Sequence, residues 1–382
     1  MQHDEASRQQ LAAQLGRTEG YLKVDPGNRD LLAAAIDLCL ATDDLARAQL
    51  HVDAACGRYP EDPFFTYRRA HVLVGQRRWD AALPLFAALF AQHQDVNIAY
   101  SLAECQWRLG ACEEACASLE AYRADPQLAP EAVTLLVRVL HTLGRLDEAA
   151  ELAAAHGARL AGEPAFLAAA SLMYFDRGDV ELAAAMSDAA LAAGKRPLEA
   201  LVVSGSLALG RTDTDTAIAR FNEVLTVNPR EGRSWSGLGM ASLLRRDLAG
   251  AATQLEQAVK FMPGHLGTWH LLGWCHLFAQ DLEQARSVFE TALARDRNFG
   301  ESHGALAVVQ AMQGQRELAE AGIARALRLD PNGLSARYAQ MVLSGEAADP
   351  ERFRKIAFRL LSAHQALGGE TVADVVQRHT GN

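Results

Sequence analysis

One pattern of side chains returns every 34 residues along most of this chain, and a return of that length leaves few folds open. Trp235, Leu238, Gly239, Ala251, Leu255, Ala258 and Pro263 are followed by Trp269, Leu272, Gly273, Ala285, Phe289 and Ala292. Leu306, Ala319, Ile323, Ala326 and Pro331 come next. Toward the N-terminus the same step lands on Ala217, Phe221 and Pro229, then on Tyr174, Ala183 and Ala190, then on Leu136 and Ala149. It continues to Leu102, Ala115 and Leu119, then to Ala81, Leu85 and Ala88. With one residue dropped in the first full unit, Leu32, Ala48, Val52, Ala55 and Pro60 join the series. Full units then start at 29, 62, 96, 130, 164, 198, 232, 266 and 300 and end at 333. Repeats of this size cannot bury an apolar face alone. They stack, and neighbours supply each other's core.

Each unit reads as two helices with a break near its fifteenth residue. Leu143-Gly144-Arg145 and Arg177-Gly178-Asp179 place a glycine there, suited to the left-handed conformation that ends a helix, and an Asp that can cap the next one. Ala183, Ala217, Ala251 and Ala285 stand where two helices approach closely, and Pro229, Pro263 and Pro331 follow the second helix, where a missing N–H does no harm. Within Leu282–Ala294, Ala285, Val288, Phe289, Ala292 and Leu293 form one amphipathic stripe. These positions resemble the tetratricopeptide repeat, whose signature is Trp-x2-Leu-Gly-x2-Tyr followed by Ala, Phe, Ala and Pro at fixed offsets. The resemblance implies an all-α fold, a right-handed superhelix (α-solenoid) of about nine helix-pair repeats with helical caps. The expected layout is one elongated array: an N-terminal half-repeat over 1–28, nine repeats over 29–333, and C-terminal capping helices over 334–382. Asp349-Pro350 would start one of these, with Phe353, Ile356, Ala357, Leu360 and Leu361 on its apolar stripe and Arg352, Arg354, Lys355 and Arg359 on its solvated face.

The resemblance also implies that the first helix of every unit faces the concave side, with its second, fifth, ninth and twelfth residues in the groove. In the N-terminal half these offsets give a polar, mixed lining. The third unit offers Asn97, Tyr100, Glu104 and Trp107 with Arg108 beside them, and the fourth Glu131, Thr134, Arg138 and His141. In the C-terminal half they give an apolar one: Ala165, Ala168, Leu172 and Phe175, then Val202, Ser206 and Leu209, then Ser236, Met240 and Leu243. His270, Trp274 and Leu277 follow, then Val308 and Ala311. The expected occupant is a protein or peptide segment, an amphipathic helix above all, unless the protein's own C-terminal helices or a second copy fill the groove. The family's carboxylate clamp and its ladder of Asn residues at the sixth position are both missing from this sequence.

Charge and motifs exclude other classes. Lys and Arg number 37 against 47 Asp and Glu, for a net charge of −10, and no compact basic patch offsets it, so nucleic acid is not an expected partner. No apolar run reaches the length of a membrane span, and Met1-Gln2-His3-Asp4-Glu5 does not read as a signal peptide, so the expected compartment is the cytoplasm. Gly194-Lys195 is followed by Arg196 rather than Ser or Thr, Ser204-Gly205-Ser206 lies inside a helix, and no metal-binding His-Glu-x-x-His occurs. Cys105, Cys112 and Cys116 could present three thiolates, but no fourth ligand follows, and small buried residues are the plainer reading. His265, His270 and His276 read as surface or interhelical histidines. The expectation is a non-enzymatic scaffold without a cofactor, a chaperone or assembly factor of a bacterial secretion or surface-appendage system. The alternative is a regulatory or substrate-presenting subunit of a protein-modifying enzyme such as a glycosyltransferase.

Overall fold

The computed structural model describes residues 2–348, and the C-terminal capping sequence from Asp349 onward, with its expected helices, lies outside them. Among the described residues there are twenty α-helices, one short 3-10 helix and no strand. They fall into two compact units, one ending at Ala161 and the other beginning at Gly162. The first contains α1 (Gln2–Val24), α2 (Arg29–Ala41), α3 (Leu45–Arg58), α4 (Pro63–Gly75) and α5 (Trp79–His93). It continues with α6 (Val96–Arg108), α7 (Cys112–Glu120), α8 (Pro130–Thr142) and α9 (Leu146–Gly157). The second opens with α10 (Pro164–Arg177), α11 (Val180–Ala192), α12 (Leu198–Gly210), α13 (Thr214–Val227), α14 (Gly232–Leu244) and α15 (Leu248–Phe261). It ends with α16 (Leu266–Phe278), α17 (Leu282–Arg295), α18 (Gly300–Met312), α19 (Arg316–Leu329) and α20 (Leu334–Ser344). Within each unit every substantial contact is between helices adjacent in sequence or next but one.

The expected break is present in every repeat. Backbone φ is positive at Asp43, Arg77, Gly110, Gly144, Gly178, Thr212, Arg246, Gln280 and Gly314, one residue per repeat. The next residue opens the second helix, and four of the five Asp residues there cap it; Asp179, expected to do so, makes no cap bond and pairs with Arg177 instead. Asp44, Asp213, Asp247 and Asp281 accept from the backbone N–H groups of Arg47, Thr216, Gly250 and Gln284.

The interior of each pair is set by two positions, the eighth residue of the first helix and the residue 16 further on in the second. Gly205, Gly239 and Gly273 face Phe221, Leu255 and Phe289. A Cβ added to Gly273 would lie 2.3 Å from the Phe289 ring, and one on Gly239 would lie 2.6 Å from Leu255. The buried pair Ala70 with Phe86 keeps this small-to-large order, while in Val137 with Ala153 the sizes trade places. Close packing that tolerates such exchanges lets a repeat lose signature residues and still form its helix pair.

One expectation on register is corrected. The short repeat is the second, not the first: α2, α4 and α6 begin at Arg29, Pro63 and Val96. Ala82, Phe86 and Leu89 are the buried residues, where the sequence reading placed Ala81, Leu85 and Ala88. The missing residue is taken from the tight α5–α6 connection, where Gln94 adopts φ 45° and Asp95 caps α6.

Candidate functional site

In the first unit, α6 carries Tyr100, Glu104, Trp107 and Arg108, and α8 carries Arg138 and His141. The Arg108 guanidinium lies over the Trp107 ring at 4.8 Å and the Trp79 ring at 5.5 Å, and stands 3.6 Å from Glu104. Tyr100 is half-buried. Burial, helped by the carboxylates of Glu104 and Glu131, pushes its hydroxyl up to about 12, so it stays a neutral hydrogen-bonding group. Arg138 and His141 are half-buried on α8, while Thr134, expected in the lining, is buried and donates its hydroxyl to the Pro130 carbonyl.

A feature the sequence reading missed lies beside them. A depression of about 740 Å3 opens over α4, between α2 and α6. Asp37, Phe64, Tyr67, Arg68, His71 and Asn97 are among the residues lining it. Arg68 donates to Asp37 at 2.7 Å and covers the Phe64 ring at 3.6 Å. Tyr67 and His71 meet edge to face at 4.4 Å, and burial holds the His71 imidazole below its usual range, in the neutral form. The register error hid this place. Offsets counted from 62 fall on Thr66, Ala70 and Leu73, whereas counted from Pro63 they fall on Tyr67, His71 and Val74.

In the second unit the residues expected in the lining divide. Phe175, Leu209, Met240, Leu243 and Trp274 are half-buried and present part of their surface to solvent. His270 and Leu277 do not: they are 8% and 2% exposed, and belong to the interior. His270 shares a 2.8 Å hydrogen bond with Ser302 and packs against Phe289 and Phe299, and Leu277 lies in the cluster of Phe289, Val308 and Val309. Val308, also expected in the lining, is fully buried. Above it Trp274 of α16 and Tyr338 of α20 meet at 5.8 Å across α18. A comparable contact spans α12, where Arg233 of α14 reaches Asp176 of α10. The apolar face is therefore narrowed at two places. Between and beside them Leu244 and Phe278, at the same position of successive repeats, are 40% and 56% exposed, with Phe278 against Trp274 at 5.6 Å.

These surfaces offer stacking, apolar contact and charge pairing. Burial pushes the Cys105 thiol up to about 12 and raises that of Cys116, the opposite of what a metal-ligating thiolate needs. Among the described residues no group of three or more His, Cys, Asp or Glu is placed to hold a metal, and no helix is long and apolar enough to cross a membrane.

Models of the tetratricopeptide repeat match residues 67–129, 202–264 and 242–298. No curated protein matches the chain. Among solved structures, similarity extends to the Cut9-Hcn1 hetero-tetramer of the APC/C. There the identity is 12% and the TM-score 0.49, over 90% of this chain and 94% of that one. PilF of Pseudomonas aeruginosa is 17% identical with a TM-score of 0.46, covering 57% of this chain and 98% of its own. YrrB, described as a TPR protein with an unusual peptide-binding site, is 19% identical with a TM-score of 0.38, covering 46% and 90%.

Proposed function

Because the chain belongs to the tetratricopeptide-repeat family, we propose that it is a non-enzymatic protein-interaction scaffold of the chaperone or assembly-factor kind, receiving a segment of another protein on its first-helix face. The observation that carries this reading is the exposed apolar strip of the second unit. Leu244 and Phe278 stand open beside half-buried Met240, Leu243 and Trp274. Large aromatic and sulfur-bearing side chains left partly open on a folded surface are the usual anchors of binding. Met240 can repack around different guests. Spaced along parallel helices, these side chains suit an amphipathic helix with apolar residues at i, i+3, i+4 and i+7.

The test compares affinity capture from native cell extract by the wild type and by a Trp274→Ala, Met240→Ala variant, with circular dichroism to check that helicity is kept. Capture of a partner is expected to be lost in the variant. Undiminished capture by a fully helical variant removes the strip as the binding face.

A further inference from the structure

Among the described residues, α20 is the one first helix that no second helix follows. Its tenth residue records the difference. From Leu38 of α2 to Val309 of α18, every other first helix buries its tenth residue, at most 8% exposed, whereas Leu343 of α20 is only half-buried. Leu343 lines a depression of about 410 Å3 between α19 and α20. Ile323, Ala324 and Leu327 of α19 complete its apolar floor, and Arg316, Glu320, Gln340 and Ser344 give it a polar rim. A repeat buries its apolar face only against a neighbour, so the last face of an array needs a cover.

The chain itself carries a matching segment. The described residues end at Ala348, shortly after Ser344 of the rim, and the sequence from 349 to 382 keeps the period. Two steps of 34 from the cap Asp281 lead to Asp349, and one step from Leu327 leads to Leu361. Sixteen residues after the buried Met341 stands Ala357, the large-to-small order of Val137 with Ala153. Phe353 stands where the nine preceding pairs carry Ala, and the depression leaves room for a larger side chain. We infer that residues 349–361 are the second helix of a tenth pair, with Phe353, Ile356 and Leu360 seated in the depression between α19 and α20. An apolar stripe on a floor with a polar rim is how an amphipathic helix docks. The segment covers the end of the second unit and leaves the strip around Leu244 and Phe278 open.

The experiment uses the full chain. Leu343→Cys, Val309→Cys and Phe278→Cys are made separately, and the rate of alkylation by iodoacetamide is read by mass spectrometry at each site. Each is then combined with the pair Ile356→Asp and Leu360→Asp, because charges at those two places cannot stay in an apolar seat. The pair is expected to speed labelling at 343 about tenfold and to leave 309 and 278 unchanged. An unchanged rate at 343 overturns the inference. Acceleration at 278 overturns it too, by seating the segment on the strip, and so does a parallel rise at 309, which marks general loosening. Without the Asp pair, the rate at 343 is expected to be equal in dilute and concentrated protein, whereas a rate that falls with concentration would assign the cover to a second copy. These rates do not depend on capture of a partner, so failure of the labelling experiment and failure of the capture experiment point to different errors.

Discussion

At the residue scale, the structure turns on small side chains that make room for large ones. Gly273 exists because the Phe289 ring occupies the place of its Cβ. Gly273→Ala is therefore expected to cost about 1–3 kcal/mol in a denaturant titration. Adding Phe289→Leu should return part of that cost, because the two sites share one volume. His270 makes a second prediction. Burial holds its imidazole down to about 4, against 6.5 when free, with Nε2 against the Ser302 hydroxyl. The folded state keeps it neutral while the unfolded chain takes up a proton below pH 6.5. Its contribution is thus complete above pH 6.5 and is lost as pH falls toward 4, on the order of 3 kcal/mol. Burial lowers His71, His156 and His265 in the same direction. Urea midpoints between pH 4 and 7 should slope upward, and His270→Gln should make that slope shallower. An unaltered slope would show that the imidazole is not held neutral by the fold.

At the element scale, each helix pair is defined by its central break. Thr212 occupies that break with φ 61°, a conformation that a β-branched residue adopts at a cost. Thr212→Gly is expected to raise the melting temperature, with a gain of about 1 kcal/mol offset in part by glycine's freedom in the unfolded chain. The break was legible without glycine at every repeat, because Asp43, Arg77, Thr212, Arg246 and Gln280 inherit the position from the period. The register of the second repeat was not. Ala81-Ala82, Leu85-Phe86 and Ala88-Leu89 are neighbours of like character, so a shift of one residue keeps the pattern and turns the wrong face inward. That single slip also concealed the depression around Tyr67 and His71. The burial of Val308 was illegible for a different reason. It lies in a cluster against which Trp274 and Tyr338, two repeats apart, both pack, and no local spacing encodes a contact between residues so distant in the chain.

At the scale of the whole molecule, substantial contacts are short in sequence, linking each helix to its neighbours and to the next but one. Stability in such an array is a sum of local terms. Phe289→Ala removes a fully buried ring and should cost about 3–5 kcal/mol, but locally. Hydrogen exchange read by mass spectrometry is expected to quicken across α16, α17 and α18 and to stay as it was in α2, α4 and α6. A uniform rise through all helices would mean one cooperative body instead. From Pro130 to Leu334 every first helix begins 34 residues after the last. Recombination that duplicated or excised 34 codons within this stretch would join a break to a break and a cap to a cap, wherever the crossover fell. The gene could lengthen or shorten its product by whole helix pairs without a frame error in the folding.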